Sequence, residues 1–221
     1  MSRSGKRRRL ARGRVQATRN KTPRYLVVTN GELTEMDYFR FRNTELGSAA
    51  ILVPRFKNAH PAALADYAWR LNENEARGDG GDGFAGTFVV TDVDDFTVEQ
   101  FREAQKTCDD HGFQLIVNNP CFETWLIDHA EVCHERTTRR AQERAVRLGL
   151  VGGSGNKALN TKQIVGKASV AMDNARKHNG RERRDMRLAL NSLDFAPWTD
   201  MVQLITAVSG NEAGAGAGRD N

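Results

Sequence analysis

Thr87-Phe-Val-Val-Thr-Asp92-Val-Asp94-Asp95 is the stretch on which the reading of this chain turns. A short apolar, β-branched run predicts a strand. The run ends directly in acids. Open α/β sheets gather their ligands at the carboxyl ends of the strands. Asp92 and Asp94, two positions apart on a turning strand end, can therefore converge on one hard cation. Mg²⁺ (or Mn²⁺) suits the pattern, because it accepts one or two carboxylates, keeps several waters and bridges to substrate phosphates. Three acids packed without a cation would repel one another and raise at least one pKa. The plain alternative is a polar turn in which Asp95 caps the next helix.

Outward from this centre, strand and helix patterns alternate. Arg24–Thr29 is β-rich and stops at Asn30-Gly31, with Asn30 a good N-cap for a helix over Glu32 to about Leu46. Ile51–Phe56 reads as an edge strand because of Pro54, and Pro61 opens a helix to about Asn74. Residues 75–86 hold five glycines and two aspartates without EF-hand spacing, which predicts a surface loop. After the acids come a helix over Val98 to about Asp110, its C-cap Gly112, and a strand over Phe113–Val117. Asn119 and Pro120 then suit the N-cap and first turn of a helix reaching Ala130.

The alternation predicts an α/β fold, a mostly parallel sheet flanked by helices, over residues 22–130. Beyond it, helical patterns near 136–148, 161–178 and 197–208 predict a C-terminal helical extension over 131–209. The Gly/Ala tail 210–221 is expected to be disordered. Gly152–Lys157 has a superficial likeness to a phosphate loop. It lacks the Walker spacing and a preceding strand, so it reads as a loop joining helices, with Lys157 a minor candidate for phosphate contact.

The formal charge of +5 on 221 residues conceals a division. Nine of the 33 basic residues lie in positions 1–21, which hold no acid, and the remainder carries 24 basic against 28 acidic residues. The basic arm is too polar to bury and is expected to be disordered when free. Its Arg7, Arg8, Arg9, Arg12 and Arg14 either contact a phosphate backbone by counterion release or form a solvated tail. No apolar run has the length of a membrane span, and the basic N-terminus is not followed by the apolar segment of a secretory signal. Three cysteines without a CxxC pair fit a reducing cytoplasm.

Two more clusters follow predicted strands and so fall on the same sheet edge as Asp92. In Asn118-Asn-Pro-Cys-Phe-Glu-Thr-Trp-Leu-Ile-Asp-His129, Phe122, Trp125, Leu126 and His129 share a helix face and predict core. Glu123 either complements the helix dipole or points to the site. Cys121 and His129 read as packing residues. In Asn30-Gly-Glu-Leu-Thr-Glu35, Glu32 and Glu35 lie about one helical turn apart.

Together the three clusters resemble the RloB family. Its pattern runs from a strand with EGExTExxYF, through an apolar strand ending in DxDD, to a strand followed by NPxFExW. The matching pieces here are Asn30–Phe39, Asp92–Asp95 and Asn119–Trp125, in order, with weaker correspondence at Pro197–Leu204. The resemblance implies a Toprim-like fold and a place in bacterial restriction and phage-defence loci, sometimes beside an ATPase. In Toprim enzymes an early Glu and a later DxD bind magnesium and support phosphodiester chemistry. Asp92 and Asp94 match the DxD, whereas Asn30 stands where the early Glu is expected. An Asn carbonyl can touch a metal but cannot act as a carboxylate base, and Glu32 is the nearest substitute.

Two functions follow as expectations. One is a Mg²⁺-dependent nuclease acting on RNA or DNA, a structured RNA such as tRNA included, with Asp92, Asp94, Glu32 and Asn30 around the ion and Glu123 moving a proton. The other is a non-catalytic binding or sensor subunit docked to the ATPase. A topoisomerase- or primase-like role would need accompanying domains. Oligomeric state is left open by the sequence.

Overall fold

A computed structural model describes residues 21–77, 83–93, 96–179 and 195–209. The arm with Arg7, Arg8, Arg9, Arg12 and Arg14, the centre of the Gly-rich loop, Asp94, Asp95 and the tail lie outside these residues.

The described chain opens with β1 (Arg24–Thr29), α1 (Thr34–Leu46), β2 (Ile51–Phe56), α2 (Pro61–Arg77) and β3 (Gly86–Asp92). It continues through α3 (Val98–His111), β4 (Gln114–Asn119), α4 (Glu123–Asp128) and α5 (Thr138–Arg147). A two-residue hairpin, β5 (Val151–Gly152) and β6 (Ala158–Leu159), then leads to α6 (Thr161–Ile164), α7 (Ala168–Asn179), β7 (Trp198–Thr199) and α8 (Met201–Ser209).

Five strands form one sheet in the order β2-β1-β3-β4-β7. The first four are parallel, and β7 runs antiparallel to β4. The protein is an α/β fold with a mostly parallel central sheet, as the alternation predicts. Strand residues divide strictly by parity. Tyr25, Val27, Phe88, Val90 and Ile116 pack on the face covered by α1, α4 and the C-terminal helices. Leu26, Val28, Val89, Leu115 and Val117 pack against α2 and α3. Burial on both faces is why these strands read as continuous apolar runs rather than alternating ones.

α3 begins with a capping box in which Thr97 and Gln100 bond each other's backbone N–H, and it ends on left-handed Gly112 at φ 69°. On the opposite face, α1 and α4 meet through aromatics. The ring of Tyr38 lies edge-on to Phe122 at 5.4 Å and to Trp125 at 6.4 Å, and all three side chains are fully buried.

The structure corrects several local expectations. Asn119 is not an N-cap, because β4 runs two residues further than the apolar run suggests. Asn118 and Asn119 are held in the ladder by Thr199 and Trp198, and α4 starts only at Glu123. Asn30 is not the cap of α1 either, since the helix begins at Thr34 with Leu33 in the cap position. The pattern over 161–178 breaks into α6 and α7 around Gly166, at φ 69°. Gly152–Lys157 turns the β5–β6 hairpin instead of joining two helices. The segment read as a helix over 197–208 first supplies β7 to the sheet and then forms α8.

Trp125→Ala empties the centre of the α1–α4 contact and is expected to cost about 3–5 kcal/mol of unfolding free energy. The half-exposed Trp69, stacked on His111 at 5.2 Å, should lose about 1 kcal/mol or less when truncated. Urea denaturation of the two variants measures the difference.

Candidate functional site at the carboxyl edge of the sheet

From β1 the chain moves outward to β2 and then crosses back over β1 to β3. Strand order therefore reverses between β1 and β3, the place where open α/β sheets bind ligands. Thr29 pairs with Val90 and Asp92 pairs with Asn118. Gly31 lies as far beyond Thr29 as Asp92 lies beyond Val90, so the turn after β1 stands level with the acid that ends β3.

At that turn, Glu35 outranks Glu32. Glu32 precedes α1 and its side chain is exposed. Glu35, in the first turn of α1, is 8% exposed. Its carboxylate lies against the Cα of Gly31, so close that a Cβ built on Gly31 would stand 1.8 Å from the carboxyl carbon. Glycine is required there to make room for an acid. Asn30 is half-buried beside it, and the Gly31 N–H donates to Thr29 Oγ1 at 3.1 Å.

Asp92 ends β3 half-buried. The Asn118 side chain donates to its Oδ1 over a long 3.5 Å and accepts from Thr199 Oγ1 at 2.6 Å. Asn118 and Thr199 are both fully buried. One residue on, Asp200 Oδ2 accepts from the Val117 N–H at 3.2 Å, and its own N–H donates to the Val117 carbonyl at 2.9 Å. Asn118, Thr199 and Asp200 belong to the site's frame. The sequence places Asn118 at the strand edge and Thr199-Asp200 within the weakly corresponding stretch Pro197–Leu204, but singles out none of the three as a site residue.

β4 and α4 complete the edge. Asn119, 2% exposed, ends β4, and its carbonyl accepts from Thr124 Oγ1 at 3.4 Å. Cys121 is buried, and burial pushes its thiol well up, reinforced by the negative charges of Glu123 and Asp92. Both carboxylates are near enough to the thiol to act on it, and Glu123, in the first turn of the helix that follows β4, belongs to the carboxyl edge of the sheet. The thiol itself is a packing group.

The structure thus gathers Glu35, Asp92 and Glu123 at one edge and leaves Glu32 at its exposed margin. Asp94 and Asp95 lie outside the described residues. Among the described residues, no group of three or more His, Cys, Asp and Glu side chains assembles as a metal site. The donors present are carboxylate and amide oxygens, the chemistry of a hard cation. Mg²⁺ needs only one or two protein carboxylates beside water and phosphate oxygens, so the set fits that ion.

An α/β protein with carboxylates at the switch point of its sheet is the class these features define. The family model described as RloB-like protein matches residues 25–208, and the chain belongs to that family. No curated protein matches it. A crystal structure of an oxidoreductase from Pseudomonas syringae is similar over 59% of this chain and 42% of that one, at 17% identity and a TM-score of 0.28. That likeness is too weak to carry an argument. No helix among the described residues is long and apolar enough to cross a membrane.

Gly31→Ala is expected to displace the Glu35 carboxylate rather than the backbone, because the group in the way is the end of a flexible side chain. Unfolding free energy should fall by about 1 kcal/mol and recover part of that loss in the Glu35→Ala background, a coupling read from a double-mutant cycle.

The helix that carries Glu123 runs on to His129, whose pKa is pushed down to about 4 by burial against the backbone hydrogen bond to Trp125 that opposes the shift. A histidine with a depressed folded pKa favours folding in its neutral form. Its contribution is complete above pH 6.5 and is lost as pH falls toward 4, about 3 kcal/mol in all. Asp128, its pKa raised by burial, contributes the opposite slope at the acid end. His129→Gln should flatten the pH dependence of stability between pH 6.5 and 4, measured by denaturant titration at each pH.

Proposed function

We propose that the protein is a Mg²⁺-dependent (or Mn²⁺-dependent) nuclease-like effector of a bacterial anti-phage defence or restriction-associated system, acting on phosphodiesters of RNA or DNA. The reading is supported by one observation above all: Asp92 ends β3 at the switch point, level with the Gly31 turn that cradles the Glu35 carboxylate. When bound, the ion supplies charge neutralisation at the phosphoryl oxygens and activation of water.

Asp92 and Asp94 hold that ion. Glu35 supplies the charge that Asn30 cannot, from a buried position that Glu32 does not share. The Asn118–Thr199 pair fixes the end of β3, so the Asp92 carboxylate is aimed before substrate arrives. Positioning of this kind lowers the cost of reaching the reactive geometry. Glu123, partly exposed in the first turn of α4, moves a proton to or from the reacting oxygens. The arm with Arg7, Arg8, Arg9, Arg12 and Arg14 draws in the polynucleotide, a structured RNA such as tRNA being a fitting substrate.

A second reading is favoured by Asn30: an amide at the end of β1 suits a Toprim-like binding or sensor subunit that docks to a partner ATPase without catalysing.

Purified wild type should cleave labelled RNA or DNA with Mg²⁺ or Mn²⁺, and Asp92→Ala and Asp94→Ala should each lower the rate by roughly 100-fold or more. Cleavage that survives both substitutions sinks the site assignment. A silent wild type that becomes active on Asn30→Glu establishes the second reading.

A further inference from the structure

Beside the acidic edge lies a cavity of about 460 Å³ walled by Glu123, Glu143, Arg139, Arg147, Asn156 and Lys157. We infer that this cavity holds a backbone phosphate of the polynucleotide, next to the one that reacts; the inference rests on the nuclease reading of the edge.

Charge is the first argument. Residues from 22 onward are net acidic, yet three cations converge here from α5 and the β5–β6 turn. Arg144, on the same helix, is spent on structure, with its Nε and Nη2 each donating to the Glu131 carboxylate at 2.6 Å. Arg147 and Lys157 pair with no carboxylate among the described residues, and Arg139 has only an exposed 3.4 Å contact with Glu143. Glu123 and Glu143 offset two of the three charges, which leaves one positive charge in the lining for an anion to neutralise.

Position is the second argument. Glu123 is shared: it lines the cavity and also opens α4 at the carboxyl edge of the sheet where Asp92 ends β3. From the other side, the Thr34 hydroxyl donates to the Lys157 carbonyl at 2.9 Å, fastening the turn to α1 one residue before Glu35. Left-handed Gly153, Gly155 and Asn156 fold the turn back tightly enough for that contact. The basic cavity therefore adjoins the acidic edge through Glu123 at the start of α4 and through the Thr34–Lys157 contact at the start of α1. A phosphodiester chain needs both: cations for the phosphates that do not react, and carboxylates with an ion for the one that does.

The test is binding without cleavage, by fluorescence anisotropy of a labelled 20-nucleotide RNA in EDTA, over a salt series, using full-length protein. Arg147→Ala/Lys157→Ala should weaken binding roughly tenfold, and the slope of log K against log salt should shrink by about 0.7, the value for one phosphate contact on a single strand. Arg140→Ala, on α5 but outside the cavity, should move neither as far. Unchanged affinity and slope in the double variant, with loss on neutralising Arg7, Arg8 and Arg9, overturns the inference and assigns binding to the arm. AMP displacing the RNA at equal phosphate concentration also overturns it, since the cavity would then be a mononucleotide site. Failure of the nuclease reading appears separately, in the cleavage assay, as indifference to Asp92→Ala.

Discussion

Asn118 joins three strands with one side chain. Its backbone lies in the ladder between β3 and β7, its amide donates to Asp92, and its carbonyl oxygen accepts from Thr199. A fully buried amide is costly unless its hydrogen bonds are made, and here they are made only when β3, β4 and β7 are in register. The same bonds that repay the burial of Asn118 aim Asp92. The position of the candidate acid therefore depends on a strand more than 80 residues further along the chain, and the central site cannot be complete before the C-terminal segment has docked.

Much of the fold is legible in the sequence because parallel strands buried on both faces leave a strong mark. Tyr25–Val28, Phe88–Val90 and Leu115–Val117 are unbroken apolar runs, and each is separated from the next by a helical pattern. What escapes is structure held by partners far along the chain. Nothing local says that Asn118 and Asn119 extend β4, since their ladder partners are Thr199 and Trp198. β7 escapes for the same reason: two residues, Trp198 and Thr199, have no periodicity of their own. Asn119-Pro120 has every local sign of a helix start, and the tertiary ladder overrides it.

The site shows the same division. Asp92 is found from sequence because a strand end followed by acids is a local pattern. The choice between Glu32 and Glu35 is not local. Both acids sit at helical spacing, and only the absence of a Cβ at Gly31 gives one of them room at the strand edge. The glycine of Asn30-Gly31 thus has a role beyond turning the chain, and Asn30 is less of a deficit than it looks in sequence: a buried carboxylate stands one turn away.

Both edges of the sheet are closed by the same device. On β2, the Asn43 side chain donates to the Leu52 carbonyl at 2.8 Å and accepts from its N–H at 2.7 Å. On β7, Asn179 does the same to Thr199, at 2.7 Å and 2.9 Å. Each amide imitates one residue of a further strand, which blunts an edge that would otherwise pair with another chain. The second of these closures bears on the site, because the residue it holds is Thr199. Asn179 at the end of α7 fixes Thr199, Thr199 fixes Asn118, and Asn118 fixes Asp92. A device that terminates the sheet on one side thus reaches, through Thr199 and Asn118, to a long contact with the acid at its centre.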